Sequence, residues 1–201
     1  MIDNVLARTS WRRTVSAALV LIGGTLLVLS VASIARGEIA RSAARGRWAE
    51  LEAARSVAGA RATASPGASW PAAIGSPVAR LLVPRVGIDE VVVEGVNDAE
   101  LRAGPGHMVG SAVPGDSGTS VISAHRDRHF HRLSGIQVGD TIVTESAHGT
   151  TTWAVRRVRV VHADAPALRS STTPTLVLTT CWPIRYLGPA PDRLIVEAEP
   201  R

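Results

Sequence analysis

One cysteine, no lysine and few aromatic residues mark this chain of 201 residues. A lone Cys has no partner for a disulfide within the chain and cannot assemble a cysteine-held zinc or iron–sulfur cluster. Five Trp, one Tyr and one Phe are too few for a platform on which nucleic-acid bases stack. Without Lys, all 22 positive charges are Arg. The net charge of +5 points at first to a polyanion partner, but the distribution of charge argues against one. Residues 1–80 carry ten Arg and four acids, whereas residues 81–201 carry twelve Arg and thirteen acids. The basic excess therefore sits in the N-terminal third, as in the flanks of a membrane span, and nucleic acid is not an expected partner. With 45% hydrophobic residues the chain can bury a core, and its length suits one domain with extensions.

Residues 14–35 form an uncharged run, TVSAALVLIGGTLLVLSVASIA. As a helix rising about 1.5 Å per residue, it spans a hydrocarbon core of about 30 Å. The alternative is a cleaved signal peptide ending near Ser33-Ile34-Ala35, but signal cores run only about 7–15 residues, so a retained transmembrane helix is expected. Arg8, Arg12 and Arg13 precede the span and Arg36, Arg41, Arg45 and Arg47 follow it, so the charge count alone does not orient it. Residues 1–13 are read as a cytoplasmic N-terminus. Ile39, Ala43, Trp48, Leu51 and Ala54 recur at helical spacing, giving a stalk, with a basic lipid-binding helix as the rival reading. Residues 60–77 are small, polar and Pro-rich, a linker; stalk and linker together fill 36–77.

From Val78 onward, short β-branched runs alternate with Gly, Pro and Asp. Strands are expected near 79–83, 90–94, 120–124, 141–145, 150–161, 175–180 and 194–198, with one helical turn from Asn97 or Asp98. Seven or so strands with little helical periodicity make 78–201 an all-β domain, an antiparallel barrel or sandwich.

The single Cys181 ends the run Leu176-Val177-Leu178-Thr179-Thr180-Cys181. Period-two alternation puts Val177, Thr179 and Cys181 on one face and Leu176, Leu178 and Thr180 on the other, the core face. An inert buried thiol is one reading. Two residues favour a nucleophile instead. His125 follows the apolar run 120–124 and, facing Cys181 across a barrel mouth, would accept the thiol proton and later protonate a leaving amine. Arg193 opens the strand after the Cys strand. If those strands pair antiparallel, Arg193 comes to the same sheet end as Cys181, where its fixed charge can polarise a carbonyl or steady an oxyanion.

At these residues the chain resembles the sortases, membrane-anchored cysteine transpeptidases. Leu178-Thr179-Thr180-Cys181 is similar to the family's Thr-Leu-X-Thr-Cys signature, with Val177 in place of the leading Thr. Ala124-His125-Arg126 is similar to its Gly-His-Arg. Gly104-Pro105-Gly106-His107, Pro114-Gly115-Asp116-Ser117-Gly118 and 80–88 resemble its approach to the His strand and its first strand and turn. Cys181-Trp182-Pro183 and the short Cys-to-Arg loop resemble class D, including the branch found in some Gram-negative bacteria.

The resemblance implies a closed eight-stranded β-barrel. It implies Cys181 as nucleophile, His125 as general acid/base and Arg193 as substrate and oxyanion stabiliser. The reaction implied is cleavage of a Thr-Gly bond in a Leu-Pro-X-Thr-Gly-like C-terminal sorting signal. It runs through a thioester, resolved by an amine acceptor at the cell envelope, with no cofactor and no metal. It also places the catalytic domain outside the bacterial cytoplasmic (inner) membrane, with the N-terminus inside.

His125, His129 and His131 crowd into HRDRHFH, but spacings of four and two on a strand-to-loop segment do not force metal ligands to converge; a solvated loop is expected. His107 is read as lining the cleft or as a loop residue, and Asp127 as orienting His125 or forming a turn. Rival functions are a hydrolytic cysteine protease using the same Cys and His, a peptidoglycan L,D-transpeptidase, whose Ser-X-Gly-Cys pattern is missing, and a non-enzymatic anchored β-domain.

Overall fold

The computed structural model describes residues 3–59, 72–164, 171–186 and 188–201; residues 60–71 of the expected linker lie outside these. A helix, α1 (Asp3–Gly59), runs through two compact units that divide between Ile39 and Ala40. In the first unit the apolar side chains of Leu19, Leu21, Leu26, Leu27 and Val28 stand exposed. The most apolar window of the helix has a mean hydropathy of 2.4 and none of it is buried, so this segment is long and apolar enough to cross a membrane.

The second unit holds an eight-stranded closed barrel: β1 (Pro77–Val83), β2 (Ile88–Glu94), β3 (Gly106–His107), β4 (Thr119–Ser123), β5 (Thr141–Ser146), β6 (Gly149–His162), β7 (Thr175–Trp182) and β8 (Asp192–Pro200). The order around the barrel is β1-β2-β3-β4-β7-β8-β6-β5. Pairs β2/β3 and β4/β7 are parallel and the other six are antiparallel.

All seven expected strands are present; the eighth is β3. Its two residues are too few to show a period. Pairing with β2 and β4 recruits them, and position 106 must be Gly because a Cβ there would collide with the Gly95 carbonyl. The expected helical turn is α2 (Asp98–Ala103), with Asn97 at its N-cap; it carries the chain from β2 across to the parallel β3.

Alternation fills the barrel. Leu176 and Leu178 of β7, Leu194, Val196 and Ala198 of β8, and Ile122 of β4 join Leu81, Ile142 and Trp153 in one core. Trp153 satisfies its buried indole N–H on Thr144 Oγ1 at 2.8 Å, as a buried indole must. The stretch read as a stalk packs on this unit from Ala40 onward: Ala44 and Trp48 are buried with Val91 and Val93, and Arg41 forks onto Glu90.

Candidate active site

β4, β7 and β8 are adjacent in the barrel wall, and their registers fix where the three candidate residues lie. Cys181 pairs directly with Arg193 across the antiparallel β7/β8 ladder. Ser123 pairs with Thr179 across the parallel β4/β7 ladder, and Ala124 N–H continues it to the Thr179 carbonyl at 3.2 Å. Two residues beyond Ser123 is His125, level with Cys181. The three candidates therefore occupy one row at one end of three neighbouring strands. They are wall neighbours; the expected arrangement across a barrel mouth does not occur, because β4 and β7 pair side by side.

The row is on the outer face. Leu176, Leu178 and Leu194 belong to the interior core, so Cys181 and Arg193, at the alternate positions, point away from it. Val121, Val177 and Ile195 form a separate apolar cluster on that outer face, with Met108 and Val161 packed against it. Cys181, His125 and Arg193 are each partly buried, which leaves the thiol reachable.

His125 is held from several directions. Thr180 Oγ1 donates to the Ala124 carbonyl at 2.7 Å, tying the Cys strand to the residue before His125. The Ala124 methyl is in the interior core. Beyond His125, its own carbonyl accepts from the N–H groups of Arg128 at 3.4 Å and Phe130 at 3.3 Å, and the fully buried Phe130 and Leu133 pin the loop into the core. The imidazole Nε2 lies 3.4 Å from Asp98 Oδ1 at the start of α2. Asp98 also pairs with Arg102 one helical turn on. Asp127 is exposed, and the carboxylate beside His125 is that of Asp98, 27 residues upstream. Its position ahead of a helical turn was the only signal in the sequence, and it reads equally as a cap.

The other histidines do different work. His107 neither lines a cleft nor sits in a loop: it is fully buried in β3, paired in register with Glu94 of β2. Its Nδ1 is 2.8 Å from Glu94 Oε2, and its Nε2 is 2.9 Å from both the Ala112 carbonyl and Ser111 Oγ. His129 is buried as well, rather than solvated, with Nδ1 3.4 Å from Glu90 Oε1. Burial pushes the Glu90 carboxyl up, but pairing with His129 and then with Arg41 outweighs it and holds the group below its ordinary value. His131 Nδ1 turns to the Arg128 carbonyl at 2.5 Å. Among the described residues no three His, Cys, Asp or Glu side chains gather as metal ligands would.

Comparison with known proteins places this barrel among named relatives. A family model described as a sortase domain matches residues 81–201. Sortase D of Bacillus subtilis (strain 168) is 31% identical over 118 residues, covering 58% of this chain and 60% of that protein; the chain thus spans less than two thirds of that relative's length. The catalytic domain of B. anthracis SrtD is 34% identical with a TM-score of 0.55, over 69% of this chain and 97% of that one. A Clostridium perfringens sortase D5 transpeptidase superposes with a TM-score of 0.62 at 20% identity, over 83% of this chain and 99% of that one, a likeness of fold.

Proposed function

The chain belongs to the sortase family, on its class D branch, and from that premise we propose that it is a membrane-anchored cysteine transpeptidase with Cys181, His125 and Arg193 as its catalytic residues. The single observation that carries this reading is the common row: Cys181 opposite Arg193 in register, with His125 level with them beyond the end of β4.

In this reaction the Cys181 thiolate attacks the carbonyl carbon of the Thr in a Thr-Gly bond of a Leu-Pro-X-Thr-Gly-like C-terminal signal. Electron density moves onto the carbonyl oxygen, where the Arg193 guanidinium offsets it. The C–N bond breaks, His125 gives its proton to the departing amine, and a thioester on Cys181 remains. An incoming amine then loses its proton to His125, attacks the thioester and releases the thiolate. The outward-facing row suits a protein substrate, which reaches an outer wall more readily than a barrel interior. The residue 14–35 segment anchors the enzyme, the N-terminus stays in the cytoplasm, and the catalytic domain of 78–201 works outside the cytoplasmic membrane, where signal-bearing proteins and amine acceptors are found.

Mass spectrometry of the full chain after exposure to a library of Leu-Pro-X-Thr-Gly peptides tests the proposal. A thioester adduct on Cys181, discharged by added amine into an amide product, is the expected result. Release of free acid alone at high amine concentration would instead support the hydrolase. For Arg193→Ala the turnover should fall about 10²–10³-fold, as for loss of one oxyanion donor; near-normal turnover removes Arg193 from the site.

A further inference from the structure

We propose that Arg126 is a positioning residue of this site, clamping the loop that leads into Arg193 onto the backbone that carries His125. The proposal rests on the catalytic reading of Cys181, His125 and Arg193 given above.

Between β7 and β8 the described residues are 183–186 and 188–191. The ends of this loop are fixed in the β7/β8 ladder, where Trp182 pairs with Asp192 and Cys181 with Arg193. Between those ends the backbone leaves the sheet, and its carbonyls need other donors. One side chain supplies three of them. Arg126 Nη1 donates to the Pro183 carbonyl at 3.1 Å, and Nη2 donates to the carbonyls of Tyr186 at 3.0 Å and Gly188 at 2.7 Å. The guanidinium also lies 5.7 Å from the centre of the Tyr186 ring, within the range of a cation–π contact.

The far end of the same loop holds Arg193. Its Nη1 donates to the Asp192 carbonyl at 3.0 Å and lies at the limit of a bond to the Ala190 carbonyl at 3.5 Å. A continuous mechanical path thus runs from the His125 backbone, through the neighbouring Arg126, into the loop, and on to the Arg193 guanidinium. The planar fork places its donors on two separate nitrogens, Nη1 and Nη2, and so reaches carbonyls on different stretches of the loop; a lysine ammonium has three N–H groups but on a single nitrogen, and does not reproduce the spread. Arg126 needs no contact with substrate in this role. It keeps His125 and Arg193 in a fixed relation to Cys181, and a misplacement of about 1 Å in such a set lowers turnover by about 10²-fold.

The experiment uses the full chain in detergent micelles and compares wild type, Arg126→Ala, Arg126→Lys and His125→Ala. Three readouts are taken: thermal unfolding, kcat and KM for peptide-to-amine transfer well below the melting temperature, and the pH profile of iodoacetamide alkylation at Cys181, the chain's only thiol. The expected result is a folded Arg126→Ala enzyme with kcat lowered about 10- to 100-fold and KM little changed, and with Lys restoring part of the loss. Its alkylation profile should move from that of wild type toward that of His125→Ala. A merely structural role would shift the melting temperature and leave both kcat and the profile alone, and a folded Arg126→Ala enzyme with wild-type kcat and profile overturns the proposal. Should Arg126→Ala not fold, Arg126→Lys decides: reduced kcat at an unchanged melting temperature supports the clamp, and wild-type kcat overturns it. Should wild type itself transfer no peptide, the catalytic reading fails separately, and the alkylation profiles still judge Arg126: a shifted profile supports the clamp and superimposed profiles refute it.

Discussion

His107 and His125 are 18 residues apart and flank the same strand, yet their surroundings are opposites. His107 lies in the wall beneath β2, without solvent exposure, both ring nitrogens partnered and its carboxylate neighbour buried with it. His125 stands at the rim, about a third exposed, its nearest carboxylate 62% exposed and 3.4 Å away. A proton shared between Glu94 and His107 Nδ1 leaves both ring nitrogens satisfied wherever it sits. Such a closed set has no atom left for a substrate, and moving one member strands the other in low dielectric. A half-open imidazole beside a thiol strand keeps one side accessible to a substrate. The residue type is the same, and the sealing of its shell separates the structural histidine from the one proposed to be catalytic.

Exchange of each for alanine breaks or sharpens that contrast. His125→Ala should lower transfer by about 10²–10⁴-fold, the range of a general acid/base, with little change in unfolding free energy; peptide-transfer rates and denaturant titration on one preparation give both numbers. His107→Ala should behave the other way. Removing one member of a buried ionisable pair destabilises by about 3–5 kcal/mol, while the turnover of the molecules that remain folded stays near wild type. If His107→Ala proves stable and inactive, the division drawn between the two histidines is wrong.

The sequence shows this contrast only in part. The strands with β-branched runs were legible because alternation repeats along them. Cys181, His125 and Arg193 were legible because each sits at the end of such a run. β3 was not, since the two residues of Gly106–His107 are held by pairing and by the close approach of the Gly95 backbone, neither of which leaves a local pattern. The partner of His107 was hidden for the same reason: Glu94 is 13 residues away and meets it only through the parallel β2/β3 register. Local order is also a poor guide to the carboxylate beside His125. Asp127 is near in sequence and exposed, whereas α2 delivers Asp98 from a distance. The side-by-side placement of β4 and β7 is likewise a long-range parallel pairing, so Arg193 beside Cys181 was legible from two consecutive strands while the position of His125 in the adjoining strand was not.

A smaller effect concerns the third histidine environment, where His129 meets Glu90 beneath α1. The Glu90 carboxyl titrates below its ordinary value of 4.5. Its contribution to stability is therefore present above that value and is lost as pH falls through the lower folded-state value. Asp89 is also depressed, by its hydrogen bond to Arg80, so wild-type acid unfolding reports more than one group and the difference between proteins isolates Glu90. Melting temperatures measured from pH 7 down to about 3 should fall more steeply in wild type than in Glu90→Gln. Parallel curves would show that the Glu90 pair is not what ties acid stability to this end of the barrel.

The smallest change is expected at Asp98, and it tests how open the rim is. Asp98 faces His125 from an exposed position and is shared with Arg102. An ion pair in that setting is worth at most about 1 kcal/mol, and salt screens it. Asp98→Asn should therefore slow transfer by no more than about fivefold, and the gap from wild type should close as ionic strength rises to about 1 M. A loss as large as that of His125→Ala, persisting in high salt, would mean that the carboxylate acts in a dry site. The rim would then resemble the sealed surroundings of His107, and exposure would no longer tell the two histidines apart.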